Sequence, residues 1–330
     1  MSATKDLAVQ FVAPKAAELV ELEPDRRPLA PNEVAGRTRV SLISPGTELA
    51  GYQGLWAGAK MPSNCGYAAV FSVEQVGTEV KDLREGDLAF CLGSHRLLQR
   101  HERQSVVRLP EGLEPEAAVF ARMMGVTMST LVTTTARPPD IVLVTGLGLI
   151  GNLGAQVFQA CGYVVVGSDP SPARRDLAKR CGIGDVRERV PLDDTCLAGR
   201  VGLVLECSGH EQAVLDGCRI VRKRGEVAMV GVPWARRADL QAFEVLHAIF
   251  HRYVILRSGW EWELPLQPTD FRCGSIFGNF AAAMDWLRQG RIRVEDLADV
   301  RSPHQAQEAY QALMGGAARR LTTLFDWRQL

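Results

Sequence analysis

Three glycines at fixed spacing, Gly146, Gly148 and Gly151 in IVLVTGLGLIGNLG (141–154), carry the clearest chemical meaning in this chain. The pattern G-x-G-x-x-G suits a dinucleotide: the first glycine makes the tight turn, the second lets backbone approach a pyrophosphate, and the third lets a helix pack closely on a strand. Strand-forming residues precede it, and Ile150, Leu153, Val157 and Ala160 then share one helical face, so the strand, turn and helix that the motif needs are all present. A second strand, YVVVGSD (163–169), ends on Asp169, about 20 residues beyond the turn, where a carboxylate accepts hydrogen bonds from ribose hydroxyls and repels a 2′-phosphate. Asp169 therefore predicts NAD in preference to NADP. Arg174 and Arg175 argue the other way as partners for a 2′-phosphate, but they fall on the following helix, flanking the adenine.

The segments that must position this turn divide the chain in two styles. Up to residue 118, short apolar segments (LAVQFVA, RTRVSLIS, AAVFSVEQVG, GDLAFC) alternate with Gly, Pro and acidic clusters, which predicts a compact β region. From residue 119 strands alternate with helices: VGLVLECSG, a helix with Ala213, Val214, Gly217, Cys218 and Val221 on one face, GEVAMVGVP, then RYVILRSG. That alternation predicts a parallel sheet with right-handed crossovers. The last section has a helix carrying Phe277, Phe280, Ala281, Met284 and Leu287 and stopping near Gly290, a second helix begun by Ser302 and Pro303, and a closing strand in LTTLFDW.

Lys+Arg and Asp+Glu are equal at 38 each over 330 residues, so no basic surplus exists to hold nucleic acid or an anionic membrane. The N-terminus lacks a signal-like apolar core and no run is long enough to span a bilayer, which predicts a cytoplasmic protein acting on a small molecule. The eight cysteines form no C-x-x-C pair and are expected to be reduced.

On SLISPGTELAGYQG (41–54), MPSNCGYAAVFSVEQVG (61–77), EGDLAF (85–90), TGLGLIGNLGAQ (145–156), ECSG (206–209), EVAMVGVP (226–233) and QAQEAYQAL (305–313), the chain resembles the medium-chain dehydrogenase/reductase family. The subgroup containing the bacteriochlorophyllide hydroxyethyl dehydrogenase shares the I-S-x-G-T-E and G-Y-A-A-V wording. The resemblance implies an α/β protein: a GroES-like β-barrel catalytic domain (1–118 and 267–330) and a Rossmann doubly wound domain (119–266). It also implies that Leu149, Ile150, Cys207, Ser208, Gly231 and Val232 line the cofactor alongside the glycines, Asp169 and Arg174, and that the protein is a homodimer.

Zinc members of that family use a cysteine, a histidine and a third Cys, Asp or Glu as ligands. Here Ser44 stands at the cysteine position, Tyr67 at the histidine position, and Arg122 near the third. A hydroxyl, a phenol and a cation are poor zinc ligands, so no zinc is expected. The four-cysteine lobe of many relatives is missing too, since the segment from Gly86 to Leu109 supplies only Cys91. A replacement cluster of Cys65, Cys91 and His95 lacks any ligand spacing.

Without metal, another group must meet the substrate oxygen. Thr47 matches the hydroxyl that passes the alcohol proton outward in zinc relatives, while Ala50 truncates that relay. Tyr67 either donates from its hydroxyl or packs as a barrel residue. Glu48 reads as a catalytic group or, as more often in the family, an arginine's partner; His95 as a pocket acid/base or a satisfied loop histidine. Trp260 and Trp262 read equally as an aromatic substrate wall or a dimer anchor. The expected activity is a zinc-independent, NAD(H)-dependent interconversion of a secondary alcohol and a ketone. The rivals are an NADPH-dependent enoyl or quinone-type reductase and a non-catalytic nicotinamide-nucleotide-binding protein.

Overall fold

The computed structural model describes residues 5–56, 58 and 60–330. They form two compact units: one of residues up to Arg122 with Phe280–Arg288 and Val294–Leu330, the other of Met123–Asn279 with Gln289–Arg293.

In the first unit, period-two alternation sets the strands. Strand β1 (Asp6–Ala13) buries Leu-, Val- and Phe-bearing positions of one face and pairs antiparallel with β2 (Ala16–Leu22). Strand β3 (Glu33–Leu42) alternates along most of its length and is buried throughout at its end, Ser41 and Leu42, just before helix α1 (Pro45–Tyr52). Ser44 is the extended residue that opens α1, and Pro45 occupies its first turn, where a missing N–H costs nothing. The chain continues through β4 (Ser63–Asn64), β5 (Ala69–Val76), β6 (Leu88–Cys91), β7 (Leu98–Glu102), β8 (Val106–Arg108), α2 (Pro115–Ala118) and α3 (Ala121–Thr133).

The second unit alternates as expected: β9 (Ile141–Thr145), α4 (Leu149–Ala160), β10 (Val164–Ser168), α5 (Pro172–Arg180), β11 (Asp185–Arg187), β12 (Val201–Glu206), α6 (Glu211–Ile220), β13 (Val221–Met229), α7 (Ala242–Arg252) and β14 (Ile255–Ser258). The six strands are all parallel, in the order β11-β10-β9-β12-β13-β14. Every residue of β12 is buried, as a central strand covered by helices requires.

The chain then passes through α8 (Ile276–Arg288), β15 (Ala298–Arg301), α9 (Ala306–Met314) and β16 (Thr322–Asp326). Strand β16 pairs with β3, completing a sheet ordered β15-β16-β3-β5-β6-β8 with β7 also on β3, beside the smaller sheet β2-β1-β4. This is the α/β class with a GroES-like and a Rossmann part. No helix among the described residues is long and apolar enough to cross a membrane.

Several expectations change. Val221 starts β13 and does not close the face of α6, which buries Leu215, Gly217, Cys218 and Ile220. Ser302 caps a single 3₁₀ turn, Pro303–Gln305, and α9 follows it. Residues 267–279, expected with the first unit, belong to the second, where Asn279 Nδ2 donates to Ser129 Oγ at 3.5 Å. Helices α1 and α7 were not foreseen. Helix α7 turns Val245, Ala248 and Ile249 to the core of its unit and leaves Phe243, Leu246 and Phe250 well over half exposed.

Candidate active site

The glycine turn has the expected economy of space. Gly146 adopts φ +81°, and a β-carbon there would lie 2.8 Å from Ser208 Cβ. At Gly151 a β-carbon would lie 1.8 Å from the Gly146 carbonyl oxygen, so only glycine lets α4 start this close to β9. Gly148, the extended residue before α4, has nothing within 4 Å of its β-carbon position. That open space faces the first turn of α4, where the N–H groups of Leu149 and Ile150 lack partners within the helix. A pyrophosphate fits such a place.

Asp169 is buried at the end of β10. Its Oδ2 accepts from Leu147 N and its Oδ1 from Ser171 N, both at 2.8 Å, which fixes the carboxylate beside the turn. Arg174, half-exposed on α5, reaches Asp169 only at 3.5 Å, and Arg175 Nη1 donates to the Asp169 carbonyl oxygen at 2.8 Å. Both arginines are tied to Asp169. At the end of β12, burial pushes the Glu206 carboxyl above its usual range, while Ser208 and the Gly209 N–H oppose that by hydrogen bonding to it. Cys207 and Ser208 follow on the same turn; Gly231 N donates to the Glu206 carbonyl at 2.7 Å, and Val232 is exposed beside it.

In the first unit, the three positions at which the resemblance expects metal ligands come together. Tyr67 Oη donates to Ser44 Oγ at 2.5 Å, and the Arg122 guanidinium lies over the Tyr67 ring, its carbon 4.6 Å from the centroid. Arg122 also lies 5.8 Å from the centre of the Phe280 ring and is only 3% exposed. Thr47, in the first turn of α1, is partly buried and acts on the same phenol. Burial pushes the Tyr67 phenol above its usual range; the Arg122 charge and the bonds to Ser44 and Thr47 pull it back. At neutral pH the cluster is therefore a set of hydroxyl donors beside a fixed cation.

Glu48 and His95, expected as acid/base candidates, face away from this cluster. His95 is fully buried, with Nε2 2.9 Å from Glu48 Oε2 and Nδ1 2.8 Å from Ser41 Oγ. Glu48 Oε1 also accepts from Ser44 N at 2.6 Å, and Oε2 from Tyr310 Oη at 2.5 Å. Trp327 Nε1 donates to Ser41 Oγ at 2.8 Å. Trp327, Ser41, His95 and Glu48 thus form one continuous buried chain of hydrogen bonds. Among the described residues, the side-chain partners of Glu48 are a histidine and a tyrosine. Neither residue presents a polar atom to a substrate.

Glu48, Cys65 and His95 bring ligand atoms within 4.8 Å of one another, so Glu48 takes the place expected of Cys91 in a replacement cluster. Cys91 instead lies 3.8 Å from Gln99 Oε1, and burial pushes its thiol up to about 12. Each group of the triad is already bonded: Cys65 Sγ donates to the Val9 carbonyl at 3.3 Å, and burial and the Glu48 charge raise its pKa well above the usual thiol range. A metal would require the thiolate that this environment opposes.

Trp260 and Trp262 lie on the turn after β14, 61% and 42% exposed. Sequence reasoning missed Tyr310, Trp327, Ser41 and Phe280 as partners of the site. The available signal was a tyrosine on the apolar face Ala306, Ala309, Tyr310 and Leu313 of α9, a position where a buried hydroxyl needs an acceptor.

A family model described as zinc-binding dehydrogenase matches residues 149–261. The L-threonine 3-dehydrogenase of Pyrococcus abyssi is 28% identical over 327 residues, covering 83% of this chain and 93% of that protein. The sorbitol dehydrogenase of Halalkalibacterium halodurans is 30% identical over a shorter stretch, 39% of this chain and 40% of that protein. Among solved structures, galactitol-1-phosphate dehydrogenase from Escherichia coli aligns with a TM-score of 0.81 at 19% identity, covering 97% of this chain and 99% of that one.

The buried network makes a stability prediction. Tyr310→Phe keeps the stacking on Tyr52 (5.3 Å) and the edge contact with Phe11 (5.0 Å) but removes a donor from a buried carboxylate. Urea unfolding should show a loss of about 1–3 kcal/mol. Tyr52→Phe, which removes a bond to the part-buried Lys15 carbonyl, should cost less. Equal losses, or none for Tyr310→Phe, would show that Glu48 does not depend on this donor.

Proposed function

The chain belongs to the medium-chain dehydrogenase/reductase family of zinc-type alcohol dehydrogenase-like oxidoreductases, and on that footing we propose that it is a zinc-independent, NAD(H)-dependent enzyme interconverting a secondary alcohol and a ketone on a small-molecule substrate. The observation that carries this reading is the bonded pair Ser44–Tyr67 with Arg122 against it, at the positions where the family's zinc members hold metal. When bound, a nicotinamide dinucleotide supplies or accepts the hydride. Gly146, Gly148, Gly151, the first turn of α4, Asp169, Ser208 and Gly231 are the residues that would hold it. The chain's own task is then the proton: Tyr67 Oη and Thr47 Oγ1 donate to the substrate oxygen during reduction and accept from it during oxidation. The substrate's form is open, and Trp260 and Trp262 serve better as surface anchors than as its wall because both are exposed.

Asp169 supports NAD over NADP, since its two oxygens are fixed beside the turn and Arg174 and Arg175 are occupied with it. An enoyl or quinone-type reductase using NADPH would need those arginines free for a phosphate. A nucleotide-binding protein without turnover remains the reading to which the enzyme tests below would lead if all fail. A homodimer is the proposed assembly: Phe243, Leu246 and Phe250 on α7 and Tyr253 just after it are exposed apolar residues, and β14 is an edge strand of its sheet. The eight free thiols fit a reducing compartment such as the cytoplasm.

Elemental analysis and light scattering on one preparation test the metal and the assembly. The expected result is a dimer with zinc far below one atom per chain. Stoichiometric zinc surviving gentle chelation would refute the metal-free reading, and a monomer the dimer.

Titration should show NADH binding more tightly than NADPH, with Asp169→Ser narrowing the gap. Equal affinities for wild type would mean that the arginines govern the site.

With an active alcohol or ketone, Thr47→Val and Tyr67→Phe should each lower turnover by a factor on the order of 10² to 10³ while NADH affinity survives, because each removes a hydroxyl at the reacting oxygen. Wild-type turnover in both variants would reject these residues as the proton donors.

A further inference from the structure

We propose that Arg122 is a positioning residue that performs, through Tyr67, the electrostatic task a metal ion performs elsewhere in the family: its fixed charge, packed on the phenol ring, holds Tyr67 ready to give a proton to the substrate oxygen. The proposal rests on the alcohol/ketone reading above.

A guanidinium stays protonated at any working pH, and burying one is costly unless its surroundings answer the charge. Arg122 is nonetheless 3% exposed. Part of the answer is aromatic: the faces of Tyr67 and Phe280 lie 4.6 and 5.8 Å from the guanidinium carbon, within reach of a cation–π interaction. Any surface arginine could stack on a ring without consequence. Here the stacked ring carries the hydroxyl that bonds Ser44, so the cation acts along the ring on the one ionisable proton of the cluster.

The groups around Tyr67 differ in what they do to that proton. Ser44, before α1, and Thr47, in its first turn, carry hydroxyls beside the phenol that can donate to it once it is ionised, and so favour release. Arg122, on α3, favours release through its charge, and Glu48, further along α1, opposes it. Phe280, on α8, adds no charge and excludes water. Among the described residues named as acting on the phenol, Arg122 is the positive one. Divalent zinc works directly, by polarising the substrate oxygen that it binds. A guanidinium held on a phenol works one atom removed, by stabilising the phenolate that remains after donation.

Only a proton moves in this step. The Tyr67 hydroxyl turns from Ser44 Oγ to the substrate oxygen, its O–H bond breaks as an O–H bond forms there, and the electron pair stays on Tyr67 Oη as a phenolate that the Ser44 hydroxyl can now donate to and whose ring lies against the guanidinium. Water then returns a proton to Oη by way of the Thr47 hydroxyl.

The test reads the phenol itself and needs no substrate. The protein is produced with 3-fluorotyrosine, whose phenol titrates below that of tyrosine, and each of its five tyrosines gives a fluorine resonance. Tyr67→Phe identifies the Tyr67 signal by its loss. In Arg122→Met that signal should titrate at higher pH than in wild type, and Arg122→Lys should return it toward the wild-type midpoint. Arg122→Gln provides the same reading if the methionine variant does not fold. An unchanged or lower midpoint without the guanidinium overturns the proposal.

With an active substrate, Arg122→Met should lower kcat by a factor on the order of 10 or more, move the alkaline limb of the pH profile upward, and leave NADH affinity alone. An unmoved profile also overturns it. If wild type turns over no alcohol or ketone while the fluorine midpoint still moves, the function proposed above fails and the coupling of Arg122 to Tyr67 stands. If turnover is found and the midpoint stays put, the function stands and Arg122 loses its role.

Discussion

The first unit depends on one buried carboxylate. Glu48 accepts from the Ser44 backbone, from His95 and from Tyr310, so a single side chain ties the start of α1 to the segment before β7 and to α9. These segments are far apart in sequence, and the bonds between them are charge-assisted and buried, so that losing one partner leaves a buried charge underserved. The first turn of α1 carries Ser44 and Thr47. The position of the hydroxyl cluster is therefore set by a buried network behind the first turn of α1.

That network also explains a division of labour among the polar residues. Glu48 and His95 are by type the best acid/base groups of the unit, and both are spent on structure. Their saturation leaves hydroxyls and a guanidinium as the chemical groups of the cluster. Neutral hydroxyls are weak acids, so a cluster made of them gains from a nearby positive charge, and the one supplied here is the residue that most clearly disqualifies the position as a zinc site. Arg122 carries the charge that argues most strongly against a metal at these positions and, on the reading proposed above, takes over part of a metal's task.

The two halves of the molecule differed in how much their sequence disclosed. Strands β9, β10 and β12 and the glycine turn were legible because backbone demands fix them: a β-carbon at Gly151 would overlap the Gly146 carbonyl, and that constraint is written in adjacent residues. The Glu48 network was not legible, because Ser41, His95, Tyr310 and Trp327 meet only after the sheet has folded, and no spacing along the chain announces the meeting. Helix α1 was missed for a different reason. Its sequence, PGTELAGY, holds two glycines and too few apolar residues to show a period, so its helicity comes from Pro45 at the first turn and from Glu48 bonding back to the Ser44 backbone. Helix α7 escaped because its apolar residues point both inward and outward, which erases the amphipathic signal.

The route of the proton follows from the same burial pattern. His95 cannot carry it, since both ring nitrogens are engaged and the path beyond them ends at Ser41 and Trp327 in the core. Ala50, buried one turn after Thr47, offers no hydrogen bond to extend a relay along α1. Ser44 is buried as well, and its backbone N–H is committed to Glu48. Thr47 acts on the Tyr67 phenol from a turn with partial solvent exposure, next to the exposed Gly46. On the function proposed above, a proton leaving or reaching Tyr67 would have a short path, one hydroxyl long, where a longer relay along α1 would need a polar residue at position 50.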